Sequence, residues 1–184
     1  MAGMIGRLLK NRRAGDITLA WHRPGLSAPE TIILRSASFH DDGAIPQRFA
    51  ARPVGPNVSP HLAWSGAPDD TQELVLLIED PDVPFRRPIA HLALAGIPPV
   101  EVEFAEGALN KGASPFGTGR GSFGREGYAG PRPIPGHGPH AYVFQLFALD
   151  SSLALPVDAS PDAIIQAMDG HVVGRGRLTG YYER

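Results

Sequence analysis

The stretch from Gly127 to Asp150, GYAGPRPIPGHGPHAYVFQLFALD, decides the fold of this chain. Its first half is turn material, with four prolines and four glycines before His140. Its second half, His140 to Leu149, is rich in Tyr, Val, Phe and Leu and predicts a buried strand. Side chains alternate across a strand. His140, Tyr142, Phe144 and Leu146 therefore share one face, and Ala141, Val143, Gln145 and Phe147 the other. A polar pair, His140 and Tyr142, thus stands at the entrance of an apolar strand, directly under a Pro/Gly loop. That is how a small polar pocket is built on a rigid sheet.

The neighbouring segments supply the rest of a sheet. Leu74 to Ile78 (LVLLI) is apolar without alternation and predicts a strand covered on both faces, delivering Glu79, Asp80 and Asp82 to its end. Ile89 to Ile97 predicts the next strand, with Ile89, His91, Ala93 and Ala95 on one face and Ala90, Leu92 and Leu94 on the other. Thr31 to Ser36 reads as a first strand and Val172 to Tyr182 as a last one. Ser160-Pro161-Asp162 starts a helix with Ala163, Ile164, Ala167 and Met168 as its apolar stripe, and Gly170 ends it. Short strands with turn signals and few helices predict a mostly β domain.

Between the strand ending at Ile97 and the one beginning at His140 lies Lys111 to Pro139, and half of its residues from 112 onward are Gly or Pro. A connection this long and this stiff predicts an ordered binding loop. Gly15 to Pro29 reads as an irregular arm holding Trp21. Met1 to Arg13 carries Met4, Ile5, Leu8 and Leu9 at helical spacing among Arg7, Lys10, Arg12 and Arg13, a short basic amphipathic helix. Isolated helices of this length are marginal. It is expected to pack on its own body or on a second copy, with an anionic lipid surface as the alternative.

The whole chain sets bounds. Its 184 residues fit a basic segment and arm over 1–30 followed by one domain over 31–184. Hydrophobic content of 42% and charged content of 20% are those of a soluble globular protein. A net charge of −2 gives no general pull toward nucleic acid. There is no Cys, hence no disulfide framework and no thiolate site. No run reaches the roughly 18 apolar residues of a membrane span, and no secretory signal is legible. The expected location is cytoplasmic.

Taken singly, the polar residues have ordinary readings. Asp80 and Asp82 around a proline suit a turn in which carboxylates accept backbone N–H bonds, and His91 on an apolar strand suits a core histidine. Their convergence with His140 and Tyr142 suggests one shared pocket. A carboxylate bonded to one imidazole nitrogen favours the protonated ring, in which both nitrogens donate. His91 and His140, the Tyr142 hydroxyl and the Gly130 amide would then offer donors to a phosphate, phosphomonoester or carboxylate. Asp80 and Asp82 would orient the histidines, hold a proton or meet an ammonium group. A zwitterionic head group such as phosphoethanolamine fits that mixed polarity.

Three other motifs are set aside. Gly119 to Gly124 spells G-x-G-x-x-G, but no βαβ unit surrounds it. A metal held by His137, His140, Asp80 and Asp82 is disfavoured because His137 lies in the loop, so no metal and no cofactor are expected. There is no G-x-S-x-G elbow, and no serine falls in the pocket motifs. The expectation is a binding protein without catalytic residues. The alternative is a hydrolase or isomerase using His91 or His140 as general base with Asp as its orienter.

G-Y-x-G-P-x-P…G-x-G-P-H-x-Y-V-F-x-L-F-A-L-D resembles the second signature of the phosphatidylethanolamine-binding protein family, in its bacterial Raf-kinase-inhibitor-like branch. Asp80-Pro81-Asp82-Val83-Pro84 with His91 resembles the first signature, and Asn57-Val58-Ser59-Pro60-His61-Leu62-Ala63-Trp64 resembles the family's N-x-S-P-x-L-x-W. The likeness runs from about Ser36 to Arg184 and leaves out the N-terminal segment. It implies a large antiparallel sheet packed on a smaller one with peripheral helices. It also implies a pocket for phospholipid head groups or small anions, formed by Asp80, Asp82, His91, Gly130, Pro131, His140 and Tyr142. Regulation of a kinase or protease and formation of homodimers are further implications. Tyr181 or Tyr182 would close the pocket from the C-terminal strand. Two positions depart from the pattern: Ile89 stands where an aromatic is usual, and Ala141 where an arginine often follows the second histidine.

Overall fold

The computed structural model describes residues 2–114, 116–117 and 119–184. Met1 of the N-terminal segment, and Pro115 and Thr118 of the long loop, lie outside them. Among the described residues, eight strands form two sheets. β1 (Ile33–Arg35), β3 (Leu62–Ser65) and β6 (Glu103–Phe104) make a small sheet in the order β1-β3-β6. β2 (Gly43–Ala44), β4 (Glu73–Asp80), β5 (Ile89–Ile97), β7 (His140–Leu149) and β8 (Val172–Tyr182) make a larger one in the order β2-β8-β7-β4-β5. All neighbours in the larger sheet are antiparallel except β2, which lies parallel to the end of β8.

β7 forms over the residues its pattern predicts, and it sits at the centre of the large sheet with β4 on one side and β8 on the other. Its two faces feed two cores. Tyr142, Phe144, Leu146 and Ala148 join Leu74, Leu76 and Ile78 of β4 and meet Leu34, Leu62, Trp64 and Phe104 of the small sheet. Val143, Phe147 and Leu149 join Val75 and Leu77 on the opposite face. That second face is covered by the arm, through Leu19, Trp21 and Leu26, and by α2 (Pro161–Ala167) with Ile164, Ile165 and Met168. With both faces covered, β4 has no position that can face water, which is why its sequence does not alternate. The Ser160 hydroxyl accepts the Ala163 amide and caps α2 as its sequence predicts.

The arm is built from three short 3-10 turns between Asp16 and Leu26. Glu79, on the covered face of β4, ties it down: one carboxylate oxygen, Oε2, accepts the Ala20 amide at 2.9 Å and the Gln145 side chain at 2.8 Å. Burial pushes the Glu79 carboxyl up from its ordinary range, against the opposing pull of these bonds.

β5 departs from simple alternation. Ile78 pairs with Leu92, but Glu79 pairs with Ala90, so His91 is an extra residue in β5. This is a β-bulge. It places His91 on the Leu92 side of the strand, against the ring of Tyr142. The expectation that His91 shares a face with Ala93 and Ala95 is therefore corrected: Ala93 belongs to the arm-covered core, and His91 looks the other way.

α1 (Ala2–Leu9) forms where the spacing predicts a helix, but of its apolar stripe only Leu9 is partly buried. It rests on the loop through Gly6, where an added Cβ would stand 2.1 Å from the Pro135 carbonyl oxygen. Met4, Ile5 and Leu8 face solvent.

Candidate ligand site at the ends of three strands

Asp80 ends β4, His91 bulges from β5, and His140 and Tyr142 open β7. The topology thus brings four side chains widely separated in sequence to one corner of the large sheet. All four are buried. Asp82 follows in the turn after β4 and is partly buried.

Both carboxylates are engaged. Asp80 Oδ1 accepts the Asp82 amide at 2.8 Å, the turn its sequence suggests, while Oδ2 takes His140 Nδ1 at 2.7 Å. Asp82 Oδ2 accepts the Ala141 amide at 2.7 Å, and its Oδ1 pairs with Arg13. Asp80 thus orients one histidine, as expected, and Asp82 pins the start of β7.

His140 is aligned by a second histidine. Its Nε2 lies 2.7 Å from Nδ1 of His137, and His137 Nε2 donates to the Leu9 carbonyl at 2.9 Å. His137, in the loop, is almost fully buried. Periodicity gives no direction to a loop residue, so the sequence could not place it. Among the described residues, no group of three or more His, Cys, Asp or Glu side chains could hold a metal ion.

His91 differs from the expectation. Its Nδ1 donates to the Ala129 carbonyl rather than to a carboxylate, and the Ala129 amide returns a bond to the His91 carbonyl. Burial lowers its proton affinity despite the nearby charge of Asp80. A neutral ring with Nδ1–H committed leaves Nε2 as an acceptor, not a donor.

Gly130 is close by, but its amide does not face a ligand. It donates to Asn57 Oδ1 at 2.8 Å, and Asn57 Nδ2 donates to the Tyr128 carbonyl at 2.9 Å. Gly130 is required because a Cβ there would stand 2.0 Å from the Phe49 carbonyl oxygen. The Pro131 carbonyl accepts the Ala51 amide at 3.0 Å. Both residues therefore shape the loop. Asn57 is the clamp, and the signal that could have found it is its place in the N-x-S-P-x-L-x-W stretch.

The Tyr142 hydroxyl is left over. It is buried and has no hydrogen-bond partner among the described residues. Burial, and then the charge of Asp80, hold its proton far more tightly than usual. It is a fixed O–H beside an imidazole whose free nitrogen accepts. Tyr182 pairs with His140 across β7 and β8, which puts its side chain on the same face, while Tyr181 pairs with Ala141 on the other.

Arg13 completes the rim from outside this framework. Its guanidinium reaches Asp82 and donates to the Pro139 carbonyl at 3.0 Å. Where the resemblance expects a basic residue at position 141, the chain has Ala141 and the cation arrives from the N-terminal segment.

Comparison with known proteins identifies the family of the chain. A family model described as phosphatidylethanolamine-binding protein matches residues 35–183. A UPF0098 protein of Methanothermobacter thermautotrophicus is 38% identical over 82% of this chain and 98% of its own. A solved Chlamydia trachomatis protein, described as a homologue of phosphatidylethanolamine-binding protein, superposes with a TM-score of 0.74 at 31% identity, over 84% of this chain and 99% of that one. YbcL of Escherichia coli superposes with a TM-score of 0.76 at 25% identity, over the same 84% and 99%. The match begins at residue 35, so α1, Arg13 and the arm precede it. The expected recognition and fold, a large antiparallel sheet on a smaller one with peripheral helices, both hold. The chain belongs to the phosphatidylethanolamine-binding protein family, in its bacterial and archaeal branch.

Proposed function

We propose that this protein is a binding protein for small acids and phosphate-bearing head groups, and that the ligand sits between Tyr142 and His91. One observation carries this reading: among the described residues, the buried Tyr142 hydroxyl has no partner in hydrogen-bonding geometry. A buried polar atom left unpaired costs stability unless something else completes it. Tyr142 donates, and neutral His91 accepts at Nε2. The best complement is therefore an acid that keeps one proton, such as a phosphomonoester monoanion, or an acid bearing an ammonium group. Asp80, Asp82 and His140 hold the frame, and Gly130 and Pro131 shape the loop above it. Tyr142 and His91 are buried in this structure, so ligand entry requires the loop beside them to give way.

Calorimetry with phosphate, phosphoethanolamine and acetate, on the wild type and on Tyr142→Phe, tests the reading. Phosphomonoester binding is expected to strengthen toward about pH 6, where the ligand takes its proton, and to weaken at least tenfold in the variant. Absence of heat with all three ligands would sink it. Catalysis by general base would fall to His91, because both nitrogens of His140 are engaged. Ester or phosphoester turnover abolished by His91→Ala would favour an enzyme instead.

A further inference from the structure

α1 inverts the usual arrangement of a surface helix, in which the apolar stripe faces the core. Gly6 meets the Pro135–His137 backbone, while Met4, Ile5 and Leu8 are 69%, 63% and 83% exposed. The helix is also tethered at its end, by the bond from His137 to the Leu9 carbonyl and by Arg13 on Asp82. An apolar stripe is thus held facing outward on a fixed base.

The charge around the stripe identifies what covers it. Four of the chain's 17 basic residues lie within residues 1–13, and none of its 19 acidic residues does. Arg13 is taken by Asp82, whereas Arg7, Lys10 and Arg12 are exposed. A second copy docking by the same stripe would bring like charges together. Three side chains also fall well short of the roughly 800 Å² per partner of a stable interface. A negatively charged lipid surface satisfies both features, taking the apolar side chains among its acyl chains and the cations at its head groups.

We infer that α1 is a docking site for anionic membrane surfaces, with the helix lying flat between the bilayer and the pocket-bearing corner of the protein. The rest of the chain carries the excess of acidic residues, so the attraction is confined to this corner and sets the orientation of the bound molecule. Docking by this stripe does not depend on what the pocket binds.

The test is cosedimentation of the full chain with vesicles of phosphatidylcholine alone and of phosphatidylcholine with phosphatidylglycerol, together with light scattering to follow oligomeric state. Retention on the anionic vesicles is expected, with loss in high salt and about a tenfold weakening in Leu8→Ser. A charge-reversed Arg7→Glu/Lys10→Glu variant should not sediment. These side chains are exposed, so unchanged thermal midpoints are expected and keep the comparison clean. Failure to bind anionic vesicles, or equal retention on phosphatidylcholine alone, would overturn the inference. So would a concentration-dependent dimer abolished by Leu8→Ser without vesicle binding, which would assign the stripe to a second copy.

Discussion

His137 Nδ1 and His140 Nε2 lie 2.7 Å apart, and one proton must sit between them. The Leu9 carbonyl only accepts, so His137 Nε2 also carries a proton. Another lies between His140 Nδ1 and Asp80 Oδ2. Three protons thus serve two rings that hold two when neutral. The excess proton balances the Asp80 carboxylate, and the unit is neutral overall. That is how a chain of ionisable groups is buried here without an uncompensated charge.

Replacing His137 with alanine breaks this chain in the middle. His140 Nε2 loses its partner and the Leu9 carbonyl is released. Losing one such bond is worth about 1 kcal/mol, so the N-terminal segment should open several-fold more often. Limited trypsin digestion, followed by cleavage after Arg7 and Lys10, reads that opening directly.

Gly6→Ala attacks the same segment from its other side. The new Cβ would stand 2.1 Å from the Pro135 carbonyl oxygen, whereas at Gly3 the corresponding distance is 4.0 Å. Gly6→Ala should release α1 and Gly3→Ala should not. Hydrogen exchange over residues 3–9 distinguishes the two, with the thermal midpoint of the body little changed in both.

Stability should respond to pH with opposite signs at two buried groups. Burial raises Glu79 above its ordinary value of 4.5, so its contribution is present below that value and is lost as pH rises through the folded-state value. Burial lowers His91 below 6.5, so its contribution is present above that value and is lost as pH falls. Relative to wild type, Glu79→Gln should gain stability as pH rises from acid toward neutral, and His91→Gln as pH falls below about 6.5. Urea midpoints across pH 4 to 8 check both slopes.

Asn57 holds the loop at two points and itself occupies a left-handed conformation at φ 66°. Asn57→Ala should cost about 2–3 kcal/mol, from two lost bonds and backbone strain. Asn57→Gly removes the strain and should recover part of that loss. Chemical denaturation of the pair separates the side chain from the backbone.

Much of this was legible in the sequence because it depends on period. β4 and the body of β7 are apolar runs without polar alternation, and that pattern alone gives strands covered on both faces. The Asp80 turn and the Ser160 cap are local chemistry read from adjacent residues. The rest is not periodic. His137 sits in a loop, and Arg13 meets Pro139 across 126 residues. At α1, hydrophobic spacing locates a stripe, but a close backbone contact through Gly6 decides which side docks. Gly130 was expected to face a ligand because nothing local announces that Asn57 takes its amide.

The extra residue in β5 makes the site a matter of counting. Delete Ala90 and the strand could still pair with β4, with His91 now opposite Glu79. The position before Leu92 would then revert to simple alternation and turn its side chain toward the layer that holds Trp21. The signature letters would remain in order, but the histidine would be on the wrong side of the wall. Motif spelling therefore identifies this corner only when strand arithmetic accompanies it, and a designer transplanting the signature must carry the irregularity along with the residues.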